Sequence, residues 1–98
     1  MEFERIAIVG TGAWGTALAN ALARAGRDIT LISRDRASAD AIARARESPR
    51  LRGIRIEDRV AIAAADAAEL SPQDAIVLAV PSQHLRDVAG RMARMLNL

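Results

Sequence analysis

Apolar and polar positions along the chain follow two alternating patterns, one typical of buried strands and the other of amphipathic helices. Short apolar runs predict strands at residues 6–9, 28–33, 60–64 and 74–80. Helical spacing predicts helices at residues 13–25, 34–48 and from Ser82 onward. Because strands and helices alternate, we expect a parallel sheet with right-handed crossovers.

The predicted helices differ in how clearly their buried faces can be assigned. The apolar stripe of the first helix is predicted to consist of Leu18, Ala21, Leu22 and Ala25. Gly26 is predicted to end that helix in a left-handed conformation, and Ile42 is the main apolar anchor of the second helix. The third helix, with Ser82 as its N-cap, has apolar residues at helical spacing, namely Leu85, Val88, Met92, Met95 and Leu96.

Two connecting segments lack a clear period. Residues 49–59 combine Pro, Gly and alternating charges, which predicts a loop or weakly extended chain. Residues 66–70 can form at most one turn of helix before the Ser-Pro pair that follows them.

The composition excludes several classes of site. The 98 residues contain no cysteine, which excludes disulfides and thiolate chemistry and is compatible with a reducing cytoplasm. The net charge is +2, and the arginines are interspersed with acidic residues, so we predict no nucleic-acid interface. No apolar run approaches the roughly 18 residues needed to cross a bilayer. We therefore expect a cytoplasmic protein that binds neither nucleic acid nor membrane and holds no metal.

Three glycines, Gly10, Gly12 and Gly15, stand where the first strand gives way to the first helix. In this setting, G-x-G-x-x-G is typical of dinucleotide binding. The first glycine permits a tight turn, the second lets a diphosphate approach the backbone, and the third lets the helix pack closely on the strand. The free N–H groups and dipole of the helix start favour phosphate. The alternative is that the glycines merely make a tight turn.

The end of the second strand carries the next candidate. In dinucleotide folds an acidic residue there binds the ribose 2′-hydroxyl of NAD, whereas here Arg34 leads and Asp35 follows. A guanidinium pairs well with a 2′-phosphate and can stack on adenine, so we expect NADP to be accepted and slightly favoured, with NAD still possible. Arg34 and Arg36 could instead be ordinary surface residues.

The segments "GTGAWGTALA", "LISR" and "AVPSQHLRDV" resemble the bacterial NAD(P)-dependent glycerol-3-phosphate dehydrogenases over about residues 6–88. The resemblance implies an α/β fold, a partial Rossmann-type doubly wound parallel sheet of about four strands in the order 3-2-1-4. Residues 1–98 would be the N-terminal part of a dinucleotide-binding domain. The implied cofactor-binding residues are Gly10, Thr11, Gly12, Ala13, Trp14, Gly15, Arg34, Val80, Pro81 and Ser82.

Each of these assignments has a structural alternative. Trp14 could be a core residue that fills the helix–sheet junction, and Pro81 with Ser82 could simply stop a strand and cap a helix. His84 has no partner at recognisable spacing, so we do not expect it to be catalytic.

The sequence departs from the family pattern in two places. The family usually has a loop resembling "YLPG", where this chain has "SPRLRGIRI" and keeps only Gly53. The family's catalytic and substrate-binding lysines lie beyond the "VPSQ" helix and in a C-terminal helical domain, and this sequence contains no lysine. We therefore expect no catalytic residue in this chain and no turnover by it alone.

The activity implied for the full-length protein is interconversion of sn-glycerol 3-phosphate and dihydroxyacetone phosphate, which supplies phospholipid synthesis. Its small phosphorylated substrate would bind only with the absent domain. The alternatives are the cofactor domain of another two-domain dehydrogenase, such as a ketopantoate reductase or a 6-phosphogluconate-type enzyme, and a non-catalytic nucleotide-binding module. The fourth strand is predicted to be an exposed edge through which copies of the chain could associate.

Overall fold

The computed structural model describes residues 4–66 and 73–95, apart from the side chains of Ser82 and Met95. The strands in that part of the chain form one parallel sheet in the order β3-β2-β1-β4, which confirms the predicted topology. They are β1 (Arg5–Val9), β2 (Asp28–Ser33), β3 (Ala61–Ala64) and β4 (Ala75–Leu78). In register, Ile8 of β1 lies between Leu31 of β2 and Val77 of β4. β4 is the edge of the described sheet, and self-association through it stays a prediction.

Three helices accompany these strands: α1 (Ala13–Arg24), α2 (Arg36–Ala45) and α3 (Leu85–Met95). Gly26 adopts φ +92° just after α1, as predicted. α3 begins later than predicted, because a 3₁₀ turn at Ser82–His84 precedes it. The predicted capping role of the Ser82 side chain, the positions of Met95 and Leu96 in the apolar pattern, and most of segment 66–70 fall outside what the structure describes.

Successive residues of each strand point to opposite faces of the sheet. Apolar side chains from the helices cover both faces. On one face Ile8 and Leu31 pack with Ala19 of α1 and Ile42 of α2, which confirms Ile42 as the anchor of that helix. On the other face Val9 and Ile32 pack with other apolar residues, among them Met92 of α3. α1 and α2, which follow β1 and β2, thus lie on one face, and α3, which follows β4, lies on the other.

The predicted apolar stripe of α1 is wrong in detail. Ala21 and Ala25 are exposed, and Leu18 and Leu22 only border the core. The fully covered face consists instead of Gly15, Thr16, Ala19, Asn20 and Ala23. Small side chains face the sheet because α1 packs closely upon it, so side-chain size decides which face is buried more than hydrophobicity does. In α3, Leu85 is likewise exposed, whereas Met92 is buried as predicted.

Residues 46–60, here called the long loop, connect α2 to β3 without regular structure, as predicted for most of that segment. The loop is anchored more firmly than its composition suggests. Ile56 within it is fully buried, and Arg46 at its start adopts φ +52° and donates through its guanidinium to the carbonyl groups of Glu57 and Val60. The Asn20 side chain of α1 donates to the Arg55 carbonyl at 3.0 Å and accepts from the Glu57 amide at 2.9 Å.

No helix in the described ranges has the length and apolar character required to span a membrane.

Candidate functional site

A cleft of about 920 Å³ opens at the carboxyl ends of the parallel strands. Its floor includes Val9 at the end of β1, Ser33 at the end of β2, and Ala79 just beyond β4. β1 and β4 are neighbours in the sheet, and the chain leaves them toward helices on opposite faces. In open α/β sheets, such a reversal point is where ligands bind.

Residues 10–15 are here called the glycine loop; the first three of them line the cleft, and two of the loop's glycines are required by the fold. Gly10 has φ +120°, and a Cβ there would lie 2.3 Å from the Ala79 carbonyl oxygen. A Cβ on Gly15 would lie 2.3 Å from the Gly10 carbonyl oxygen. Both glycines therefore allow close backbone contacts, at the turn and between α1 and β1, as their spacing predicts.

Gly12 is different, because the protein itself gives no reason for glycine there. Its backbone, with φ −70° and ψ −178°, is open to any residue, and an added Cβ would meet no atom of the described chain within 4 Å. Gly12 lines the cleft. The missing side chain therefore keeps space free at the surface of the cleft, as the close approach of a ligand would require.

The start of α1 supplies hydrogen-bond donors beside that space. The amides of the first helical turn have no carbonyl four residues earlier within the helix, and Gly12 has no side chain with which to cap them. The first turn also contains no acidic residue. The donors and the positive end of the helix dipole thus make this end of α1 suited to an anion.

Buried hydroxyl groups hold the carbonyl of Thr11 in place. Thr16 Oγ1 donates to the Thr11 oxygen at 3.3 Å, and Ser48 Oγ donates to the same oxygen at 2.5 Å. Both Thr16 and Ser48 are fully buried. The conformation of the glycine loop is therefore set partly by a residue of the long loop, 37 positions away in sequence.

The predicted cofactor-binding residues fall into two groups. Those that line the cleft are Gly10, Thr11, Gly12, Arg34, Val80 and Pro81. Ala13, Trp14 and Gly15 belong to the first turn of α1 beside it, and the Ser82 side chain lies outside what the structure describes. Trp14 is 64% exposed, so its alternative interpretation as a core residue is wrong. The ring of Trp14 points outward because small residues occupy the face of α1 that packs on the sheet.

Arg34 and Asp35 are already paired at the cleft edge. Arg34 Nε lies 3.3 Å from Asp35 Oδ2, and the Arg34 side chain is 84% exposed. Asp35 also caps α2, since its Oδ1 accepts from the Ser38 amide at 2.8 Å. That hydrogen bond, with a smaller contribution from Arg34, lowers the pKa of the Asp35 carboxyl. Asp35 is thus engaged in capping the helix, while the exposed guanidinium of Arg34 can turn toward an anion.

The sequence interpretation missed several residues of the cleft. Ser33 is 1% exposed, and its hydroxyl has no hydrogen-bond partner among the described residues. Arg50 and Arg52 of the long loop also line the cleft, in the segment that departs from the family's "YLPG" pattern. The sequence held a signal for the two arginines, because both stand just before Gly53 in the segment predicted to be a loop. Ser33 and Ser48 could not be recognised from the sequence, because a single serine belongs to no motif that predicts its role.

The groups that line the cleft match those that a bound dinucleotide requires. Ser33 provides a buried hydroxyl that has no partner within residues 4–66 and 73–95, Gly12 leaves an open space next to the first amides of α1, and Arg34 supplies a cation. A diphosphate, a ribose and a 2′-phosphate need groups of these kinds. His84 also lines the cleft, and the described residues contain no group of three or more side chains suited to a metal.

Comparison with known proteins identifies the relatives of the chain. The family described as the NAD-dependent glycerol-3-phosphate dehydrogenase N-terminus matches residues 5–98. A glycerol-3-phosphate dehydrogenase [NAD(P)+] of Bradyrhizobium sp. (strain BTAi1) is 50% identical over 94 residues, which are 96% of this chain and 28% of that protein. One from Acidiphilium cryptum is 47% identical over 88 residues, 88% of this chain and 26% of that protein.

A solved structure shares the fold. A crystal structure described as a 2-dehydropantoate 2-reductase from Enterococcus faecalis matches with a TM-score of 0.66 and 24% identity, covering 93% of this chain and 30% of that one. At this identity the match shows a common fold alone. The chain spans less than a third of the length of the curated relatives described above.

Proposed function

The chain belongs to the NAD-dependent glycerol-3-phosphate dehydrogenase N-terminus family, and from this premise we propose that its cleft binds NADP or NAD with the diphosphate against the glycine loop. The observation that carries the proposal is Gly12. Its lack of a side chain serves no contact within the described protein, and it stands beside the free amides of α1. A diphosphate at that point would be held by backbone N–H groups and the helix dipole.

Each predicted residue has a role in this proposal. Thr11, Gly12 and the first turn of α1, including Ala13 and Trp14, would bind the diphosphate through backbone amides, with Gly10 and Gly15 shaping the turn. Arg34 would contact the adenosine end. The remaining predicted residues would border the cofactor beyond β4; they are Val80, Pro81 and Ser82.

We expect the part of the cleft that would hold the adenosine to bind NADP more tightly than NAD. Asp35 is the acidic residue nearest to where the ribose 2′-hydroxyl of NAD would lie, but both of its oxygens already have partners: Oδ1 accepts from the Ser38 amide, and Oδ2 lies 3.3 Å from Arg34 Nε. The exposed ion pair between Arg34 and Asp35 stabilises little, so a 2′-phosphate can compete for the guanidinium. Ser33, whose buried hydroxyl has no partner among the described residues, offers a further donor at the same strand end.

For the protein as a whole we propose the activity that its relatives' names state. Residues 1–98 would be the N-terminal part of a cofactor domain in an oxidoreductase that interconverts sn-glycerol 3-phosphate and dihydroxyacetone phosphate in the cytoplasm, for phospholipid synthesis. The nicotinamide ring, when bound, accepts or supplies the hydride. This chain would contribute binding and orientation, and the groups that move the hydroxyl proton and hold the substrate phosphate would lie outside it.

Titration of the chain with NADPH and NADH, followed by fluorescence, tests the proposal. We expect binding of both, with tighter binding of NADPH. Arg34→Glu should weaken NADPH by at least about tenfold and NADH much less, because only NADPH has the 2′-phosphate whose charge-assisted contact would be lost.

Arg36→Glu is the matched control, since it changes the same charge two residues away at the start of α2 and should leave the ratio of the two affinities unchanged. A folded chain that binds neither nucleotide would refute the cofactor site. Equal losses for both nucleotides in Arg34→Glu would refute the role of Arg34.

A further inference from the structure

Ser48 connects the long loop to the glycine loop. It belongs to the long loop, yet it is fully buried, and its hydroxyl donates to the carbonyl oxygen of Thr11 in the glycine loop. The same hydroxyl oxygen accepts from the Arg50 amide at 3.3 Å. The Ser48 hydroxyl is therefore fixed on both sides, and its donated hydrogen bond goes to the loop that borders the cleft.

The Thr11 carbonyl determines where the Gly12 amide points. The two groups belong to one planar trans peptide and so point in opposite directions. The hydroxyls of Ser48 and Thr16 hold the carbonyl toward the protein interior. The Gly12 N–H is thereby directed away from these hydroxyls, and it has no acceptor among the described residues. Gly12 itself lines the cleft.

We propose that Ser48 is a positioning residue for the diphosphate subsite: by holding the Thr11 carbonyl, it orients the Gly12 N–H toward the bound diphosphate. This inference rests on the proposed function. Ser48 acts through the Thr11–Gly12 peptide and need not touch the ligand. Without its hydroxyl, that peptide would be held by the longer Thr16 hydrogen bond alone and could rotate, at a cost to any anion that needs a fixed donor.

The test compares two ligands of the same chain by calorimetry. ADP-ribose contains the diphosphate, whereas adenosine 2′-phosphate contains only the adenosine end. Ser48→Ala should weaken ADP-ribose about fivefold to tenfold, as expected for one well-placed hydrogen bond, and change adenosine 2′-phosphate less than about twofold. Ser48→Thr keeps a hydroxyl and should restore most of the ADP-ribose affinity. Circular dichroism establishes that each variant is folded.

The outcomes separate this inference from the proposed function. If the folded unmodified chain does not bind ADP-ribose, both are overturned. If it binds and Ser48→Ala binds equally well, or loses both ligands in the same proportion, the positioning role alone is overturned. Should Ser48→Ala fail to fold, Thr16→Val removes the other donor to the same carbonyl at similar volume. It should weaken ADP-ribose selectively, and a loss that is absent or unselective would overturn the role.

Discussion

The glycine loop and the long loop both border the cleft, yet different interactions hold them in shape. At the two ends of the glycine loop, close backbone contacts fix the chain, because Gly10 and Gly15 each leave room for a carbonyl oxygen that any side chain would strike. In the long loop, side chains bind distant backbone groups. Asn20 pairs with two of its peptide groups, and Arg46 with two others.

The difference explains why the conformation of the glycine loop can be predicted from the sequence, whereas the contacts that anchor the long loop cannot. A backbone contact that only glycine permits requires a glycine at a fixed position, and that glycine can be recognised in the sequence. The two hydrogen bonds of Asn20 join it to residues 35 and 37 positions away, and no sequence pattern near Asn20 predicts them. We therefore expect substitutions of Gly10 and Gly15 to act through backbone clashes and those around the long loop through unsatisfied polar groups.

The largest effect is expected from Gly10→Ala. The added Cβ would lie 2.3 Å from the Ala79 oxygen, and φ +120° disfavours alanine in any case. We expect a loss of about 2–5 kcal/mol in the free energy of unfolding, measured in urea. Gly12→Ala is the matched control and should lose less than about 1 kcal/mol while weakening nucleotide binding. Equal destabilisation by the two substitutions would contradict the distinction between a glycine required by the fold and one required by a ligand.

A smaller effect is expected from Asn20→Ala. The substitution removes two part-buried hydrogen bonds, one to the Arg55 carbonyl and one from the Glu57 amide, and each contributes about 0.5–1.5 kcal/mol. Urea denaturation measures the loss, and hydrogen exchange should show faster exchange of the Glu57 amide. Gln83→Ala removes an amide side chain from an exposed position and serves as the control. An Asn20→Ala variant as stable as that control would mean that the long loop is held by other contacts.

The smallest effect is expected from Asp58, in the exposed part of the long loop. The hydrogen bond from Arg55 Nη2, at 2.6 Å, and the charge of that guanidinium lower the pKa of the Asp58 carboxyl. The stabilisation from this pair is present above the unfolded pKa of about 3.9 and is lost as the pH falls through the lower folded value. Asp58→Asn should thus be slightly less stable than the unmodified chain at pH 7, and the difference should shrink as the pH falls below about 3.9.

Nuclear magnetic resonance measures the cause directly. Arg55→Ala should raise the pKa of the Asp58 carboxyl toward its ordinary value, and Arg52→Ala, which removes a nearby arginine outside the pair, should not. If Arg55→Ala leaves that pKa unchanged, the ion pair is absent in solution.

Much of the fold could be predicted from the sequence because its signals are local. Apolar runs identified the four strands, and the glycine spacing identified the turn into α1. The buried face of α1 was predicted wrongly, because hydrophobicity does not rank alanine, glycine and threonine by how closely they let a helix approach a sheet. Ser33 and Ser48 were missed for another reason. Their roles depend on where a distant segment lies in space, and only the folded chain shows it.

The buried face of α1 also has a geometric consequence. Ala19 and Ala23, 0% and 1% exposed, act as spacers that set the height of the helix above the sheet. A larger residue at either position would lift or tilt α1, and the helix, being rigid, would carry its first turn along with it. Methyl groups two and three turns away thus determine where the first turn of α1 lies, and the diphosphate affinity proposed for that turn would change with the distance between helix and sheet.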